Sequence, residues 1–120
     1  MTTVQIIMAN RKYATELERL LVRDGRHRVL QVDAPDECEA GVVVMDSGSF
    51  HEFQEAPCHP EQVVLVVGHE EGLLTKAWEA GLRSVVYDDE PIQTALLAVI
   101  AAELRLLKAM GLPWAPPAPA

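Results

Sequence analysis

The runs VVVMD at residues 42–46 and VVLVV at residues 63–67 are almost unbroken apolar stretches dominated by β-branched side chains. A strand with one wet face alternates apolar and polar side chains with period two. Neither run alternates, so each reads as a strand buried on both faces, as in a parallel sheet covered by helices on its two sides. Outward from this pair, three further short runs read as strands: 4–9 (VQIIMA), 29–33 (VLQVD) and 84–87 (SVVY).

Helical spacing fills the gaps. Tyr13, Leu17, Leu20 and Leu21 recur at helical intervals, with Arg11, Lys12, Arg19 and Arg23 at polar positions and Gly25 where a helix stop belongs. Leu73, Leu74, Ala77 and Trp78 form a second stripe, which ends at Gly81. Pro91 suits the first turn of a third and longest helix, which reaches Met110. Strand and helix alternate from end to end, which predicts an α/β three-layer sandwich with right-handed crossovers. Two crossovers are lean. Residues 34–41 (APDECEAG) fall short of the roughly ten to twelve residues of a whole crossover. Pro57 and Pro60 confine any helix in the next connection to 49–56, so the second and third helices are expected to be reduced. Pro113, Pro116, Pro117 and Pro119 mark 111–120 as a tail or linker after a domain of residues 1–110.

At 120 residues, 49% apolar and 23% charged, the composition fits one soluble globular domain. Ten Lys and Arg against 18 Asp and Glu give a net charge of −8. Residues 1–32 carry six basic side chains against three acidic, 33–90 carry two against 14, and 91–120 carry two against one. An acidic balance of this size argues against direct nucleic-acid binding, which needs clustered cations for the phosphates. The apolar stretch 95–102 is far shorter than the roughly 20 residues of a bilayer span, and the N-terminus lacks the plan of a signal peptide, so no membrane association and a cytoplasmic location are expected. Cys38 and Cys58 are too few and too far apart for a disulfide framework or a CxxC site and read as free thiols.

The order of elements, the length and the Asp that closes the third strand resemble the receiver domain of two-component response regulators over residues 4–110. The resemblance implies a flavodoxin-like parallel sheet of order 2-1-3-4-5. In receivers an acidic pair at the end of the first strand holds Mg²⁺ and an Asp ending the third strand accepts phosphate. A Thr or Ser ends the fourth strand, a Lys ends the fifth, and an aromatic residue in the fifth acts as a switch. Carried over one position at a time, the acidic pair falls on Ala9 and Asn10, the phosphoacceptor on Asp46, the hydroxyl on Gly68, the aromatic on Val85, with Tyr87 two residues on, and the Lys on Asp88.

Phosphoryl transfer depends on positioning and on neutralising charge over the transferred group. Here one neutral oxygen stands where two carboxylates hold the metal, the hydroxyl is gone, and an anion replaces the cation. The reading that follows is a pseudo-receiver: a non-enzymatic signalling module, without a cofactor, acting through a protein partner or a fused output domain. The alternatives are a phosphorylatable receiver using Asp46 and a small-ligand module at the strand carboxyl ends near Asn10, Asp46, His69 and Asp88. His51, Cys58, His59 and His69 have no known metal-ligand spacing, so no metal site is expected. Residues 9–14 (ANRKYA) lack the glycines of a dinucleotide turn, and the glutamates of 68–72 (GHEEG) repel phosphate.

The last helix carries a second signal. Residues 91–102 hold no charge, and two apolar stripes follow, one through Ile92, Leu96, Val99, Ile100 and Leu107 and one through Leu97, Ala101 and Leu104. A helix packed only on its own sheet needs one stripe. Ile92, Leu96, Leu97, Ile100 and Leu104 are therefore interface candidates for a homodimer or a docking partner. The resemblance points the same way, because the last helix, the helix before it and the fifth strand form a common receiver dimer face. Trp78 reads as core packing beside Leu74 and Ala77, whereas Trp114 in the tail has no local core to join.

Overall fold

The computed structural model describes residues 2–23, 25, 27–33, 41–48, 62–68, 72–79, 81–82 and 84–109. In chain order the elements are β1 (Thr2–Ile7), α1 (Arg11–Val22), β2 (His27–Gln31), β3 (Gly41–Asp46), β4 (Val63–Val67), α2 (Leu73–Glu79), β5 (Ser84–Tyr87) and α3 (Ile92–Ala109). All neighbouring strands pair in parallel, in the order β2-β1-β3-β4-β5. This is the flavodoxin-like order that the resemblance implies, in the α/β sandwich expected from the alternation of strand and helix. The connections at 34–40 and 49–61, where reduced helices were expected, lie outside the described residues, as does the tail 111–120.

The valine runs serve both faces of the sheet. Val42 and Val44 join Val4, Ile6, Val64, Val66 and Val86 under Ala14, Leu17 and Leu21 of α1 and Ala95, Val99 and Ala102 of α3. Val43 and Met45 face the other way, with Ile7, Val63, Leu65 and Val67, against Ala77 of α2 and the following Leu82. Full burial of each such side chain contributes about 1.5–3 kcal/mol, so the unbroken runs place the two central strands in the middle of the sandwich. β3 and β1 approach so closely that a Cβ on Gly41 would collide with the carbonyl of Thr3.

Two strands differ from their expected bounds. β1 covers 2–7 rather than 4–9 and β2 covers 27–31 rather than 29–33, because their ladder starts at Thr2 opposite His27 and Thr3 opposite Arg28. Backbone pairing holds these polar positions in the sheet, and β2, an edge strand with β1 as its one neighbour, tolerates them. The expected helix stops are in place. At Gly81, φ is +85°, its N–H donates to Trp78 O at 3.0 Å, and the N–H of Leu82 donates to Ala77 O at 3.0 Å. That pair of bonds is a Schellman ending, with Leu82 and Ala77 in one apolar cluster.

Trp78 departs from its expected place. Ala77 is the buried position of α2, and Trp78, one residue on, turns outward with 59% of its surface exposed. At the opposite end of the sheet from the strand carboxyl ends, α3 is tied to the strands by two polar contacts: His27 Nε2 lies 2.8 Å from Glu103 Oε2, and Arg105 donates to the Ser84 hydroxyl. Among the described residues no helix is long and apolar enough to cross a membrane.

Candidate functional site at the strand carboxyl ends

The parallel sheet brings the carboxyl ends of β1, β3, β4 and β5 to one edge, and with them Ala9, Asn10, Asp46, Gly68 and Asp88. Open sheets of this kind place ligand chemistry at that edge.

Asp46 closes β3 and is half-buried. Its Oδ2 accepts the backbone N–H of Ala9 at 2.8 Å. The short side chain at 9 lets the turn between β1 and α1 bring its amide onto the Asp46 carboxylate. A charge-assisted bond of this kind is stronger than one between neutral groups and fixes the acid to its neighbouring strand. Its Oδ1 stands 3.8 Å from the place of a Cβ on Gly48.

Asn10 is the N-cap of α1, with extended backbone and with Oδ1 accepting the N–H of Tyr13 at 3.1 Å. Asparagine here meets one of the unpaired amides of the helix start. Its side-chain oxygen is thus engaged in the fold, a role that the order Asn10, apolar Tyr13, apolar Leu17 could have signalled.

Gly68 and Asp88 are coupled. The N–H of Asp88 donates to Val67 O at 2.8 Å, carrying the β4–β5 pairing one residue past the strands. The Asp88 carboxylate leans over β4, so that Oδ2 lies 3.6 Å from the place of a Gly68 Cβ. The two departures from the receiver pattern therefore share one volume, with the Asp88 carboxylate beside the missing hydroxyl. The turn that follows is closed by Glu90, whose Oε1 accepts the Tyr87 N–H at 2.9 Å and whose own N–H donates to Tyr87 O at 3.2 Å. Val85 and Tyr87 both pack on the α2 side of the sheet.

Tyr13 was outside the expected site and proves to feel it. Its hydroxyl is buried and has no hydrogen-bond partner among the described residues. Burial, followed by the negative charges of Asp88, Glu90 and Glu16, raises it above the ordinary tyrosine range. Across the edge, Arg11 reaches Asp33 Oδ1 at 3.4 Å in an exposed pair of little energetic weight. Arg11 and Lys12, with Thr15, Glu16 and Arg19, line a shallow groove on the exposed side of α1.

Among the described residues no group of three or more His, Cys, Asp or Glu side chains converges on a metal position. His51, Cys58, His59 and His69 lie outside the described residues, as do Cys38 and Trp114. Of the interface candidates, Ile92 and Leu96 are partly buried against the core of their own domain. Leu97 is 65% exposed, and Ile100 and Leu104 are half-buried and belong to neither core cluster among the described residues.

No family model and no curated protein matches the chain. Solved structures do. The chain is similar to a response regulator receiver domain protein from Clostridium thermocellum, with a TM-score of 0.65 at 16% identity over 93% of this chain and 100% of that one. It is similar to FixJ-N, with a TM-score of 0.60 at 17% identity over 87% of this chain and 94% of that one. Against full-length FixJ from B. japonicum the TM-score is 0.66 at 14% identity, over 92% of this chain and 61% of that one. The likeness is one of fold: this chain has the architecture of a receiver domain.

Proposed function

We propose that the chain is a receiver-fold signalling domain that acts through protein contacts, without catalysis and without a phosphorylation switch at Asp46. The observation that carries this reading is the hydrogen bond from the Ala9 amide to the Asp46 carboxylate at 2.8 Å. The acid at the phosphoacceptor position ties the end of β3 to the start of α1 through Oδ2.

The surroundings support the same reading. A metal-assisted transfer needs anionic oxygens beside Asp46, and the β1 end offers an alanine and an amide already capping α1. The donor set does not fit Mg²⁺. A phosphoryl group arriving at β3 would meet Asp88 rather than a cation at the end of β5, and like charges at this range oppose it. The work left to such a domain is recognition, either of a separate protein or of an output domain in the same polypeptide. The 61% share of full-length FixJ spanned by this fold is an instance of a receiver fold joined to further chain.

The test is restoration. Ala9→Asp, Asn10→Asp, Gly68→Thr and Asp88→Lys together return the receiver residues to this edge. We expect the fourfold variant to bind Mg²⁺ in calorimetric titration and the parent to show no binding heat. Mg²⁺ binding by the parent, abolished by Asp46→Asn, contradicts the reading and promotes a phosphorylatable receiver.

A further inference from the structure

The outward side of α1 carries a group of donors that neither the core nor the carboxyl edge uses. They line the groove formed by Arg11, Lys12, Thr15, Glu16 and Arg19. At 3.6 residues per turn, Arg11 and Arg19 stand about 40° to either side of Thr15 and Lys12 about 60° from it, each within about 6 Å of it along the axis. Three cations therefore surround one hydroxyl, at spacings of three and four residues where side chains on a helix are neighbours.

These donors are open to a ligand. Thr15 Oγ1 accepts from Gln31 Nε2 at 3.4 Å, and its own hydrogen has no acceptor among the described residues. Lys12 and Arg19 join no ion pair among the described residues, and Arg11 reaches Asp33 and Gln31 through long, exposed contacts of 3.4 and 3.5 Å. Glu16, the one acid of the lining, lies about 100° round the helix from Thr15. Glu18 is turned to the β2 side, with Oε2 3.5 Å from Gln31 Nε2. In a chain of net charge −8, this local excess of cations is where an anion is attracted.

We propose that the groove receives a phosphate monoester presented by a partner protein, on a phosphorylated serine, threonine or tyrosine side chain. The proposal rests on the reading of the domain as a contact module and names the chemistry of its contact. A dianionic phosphate with three acceptor oxygens matches two guanidinium forks, an ammonium and a hydroxyl, whereas a carboxylate brings one charge and two oxygens. Arginine clusters read phosphorylated segments in this way. The shape selects a group carried on a larger partner. All five lining residues are exposed, so the groove cannot bury most of the surface of a free small molecule. Val22, 46% exposed and seven residues on from Thr15, lies almost in line with it and offers a partner segment an apolar contact about 10 Å from the phosphate.

Amide shifts of the full chain, titrated at fixed ionic strength with a phosphothreonine peptide of otherwise uncharged sequence, test the groove. The expected result is saturable movement of the amides of residues 11–19, with a dissociation constant on the order of 1 mM. Lys12→Gln combined with Arg19→Gln, at exposed sites that leave the rest of the spectrum unchanged, is expected to bind at least about tenfold more weakly. No saturable movement, or equal binding by the double variant, overturns the proposal. So does equal binding of the unphosphorylated peptide, and so does glycerol 3-phosphate bound as tightly as the phosphopeptide, which makes the ligand a small metabolite. Asp46→Asn separates the groove from the carboxyl edge: binding lost in that variant belongs to the edge and overturns the proposal. A parent that takes up phosphate at Asp46 and also binds the phosphopeptide through the groove supports this inference while overturning the reading on which it was built, and a parent that does neither does the reverse.

Discussion

The interior of the sheet and its carboxyl edge are made by the same five strands, yet they follow different rules. In the interior every position of β3 and β4 that faces a helix is apolar and buried, on both sides of the sheet. At the edge, one position of the receiver pattern keeps its residue, Asp46, and that residue bonds to a backbone amide. Burial sets the interior, because each lost side chain costs the fold directly. Apart from Asp46, a change at the edge costs the fold less than one in the interior, so its chemistry can be exchanged while the architecture stays. A receiver fold therefore places five residues together without specifying what they do.

The contrast can be broken from either side. The largest effect belongs to the interior: Gly41→Ala drives a methyl group into the Thr3 carbonyl, and we expect a loss of more than about 3 kcal/mol or failure to fold, read by urea unfolding. Leu65→Ala, at a fully buried position of β4, is expected to cost about 2–5 kcal/mol in the same measurement. If either protein unfolds like the parent, the interior is less constrained than the packing indicates.

Asp46→Ala sharpens the comparison at the edge. An acid poised for chemistry among other acids is relieved by removal, whereas an acid acting as a strut is missed. We expect a loss on the order of 1–2 kcal/mol, with a smaller loss for Asp46→Asn, which keeps an acceptor oxygen for the Ala9 amide. An Asp46→Ala protein more stable than the parent would sink the strut.

The smallest effect concerns Tyr13. Its raised folded value means that the neutral phenol holds its proton more tightly when folded. The corresponding stability is fully present below the unfolded value of about 10 and is lost as the pH climbs through the folded one. Tyr13→Phe should flatten that alkaline loss. Because the buried hydroxyl has no partner among the described residues, the change at neutral pH should be within about 1 kcal/mol and towards greater stability. Thermal melts across the alkaline range read both.

Much of the interior was legible in the residue order. Unbroken runs such as 63–67 announced strands covered on both faces, and Gly25 and Gly81 marked helix ends where each adopts positive φ. The limits of β1 and β2 were not legible, because Thr2, Thr3, His27 and Arg28 enter the sheet through backbone pairing that side-chain pattern does not record. The edge was legible as a set of positions and not as a set of contacts. Resemblance singled out Asp46, Gly68 and Asp88, but the Ala9 amide on Asp46 and the lean of Asp88 over Gly68 are matters of backbone path. On α3, pattern alone grouped Ile100 and Leu107 with Val99, since an apolar helix offers several stripes. Only the position of the sheet separates the residues it covers from those it leaves outside. Trp78 teaches the same lesson, its burial decided by its neighbour Ala77 taking the inward position.

The central claim is that Asp46 holds the fold and does not accept phosphate. Intact mass of the full chain after incubation with Mg²⁺ and acetyl phosphate tests it most directly, with Asp46→Asn and the fourfold restored variant alongside. The account predicts an unchanged mass for the parent and for Asp46→Asn, and an added phosphoryl group in the restored variant. A phosphoryl group on the parent that Asp46→Asn abolishes would contradict it.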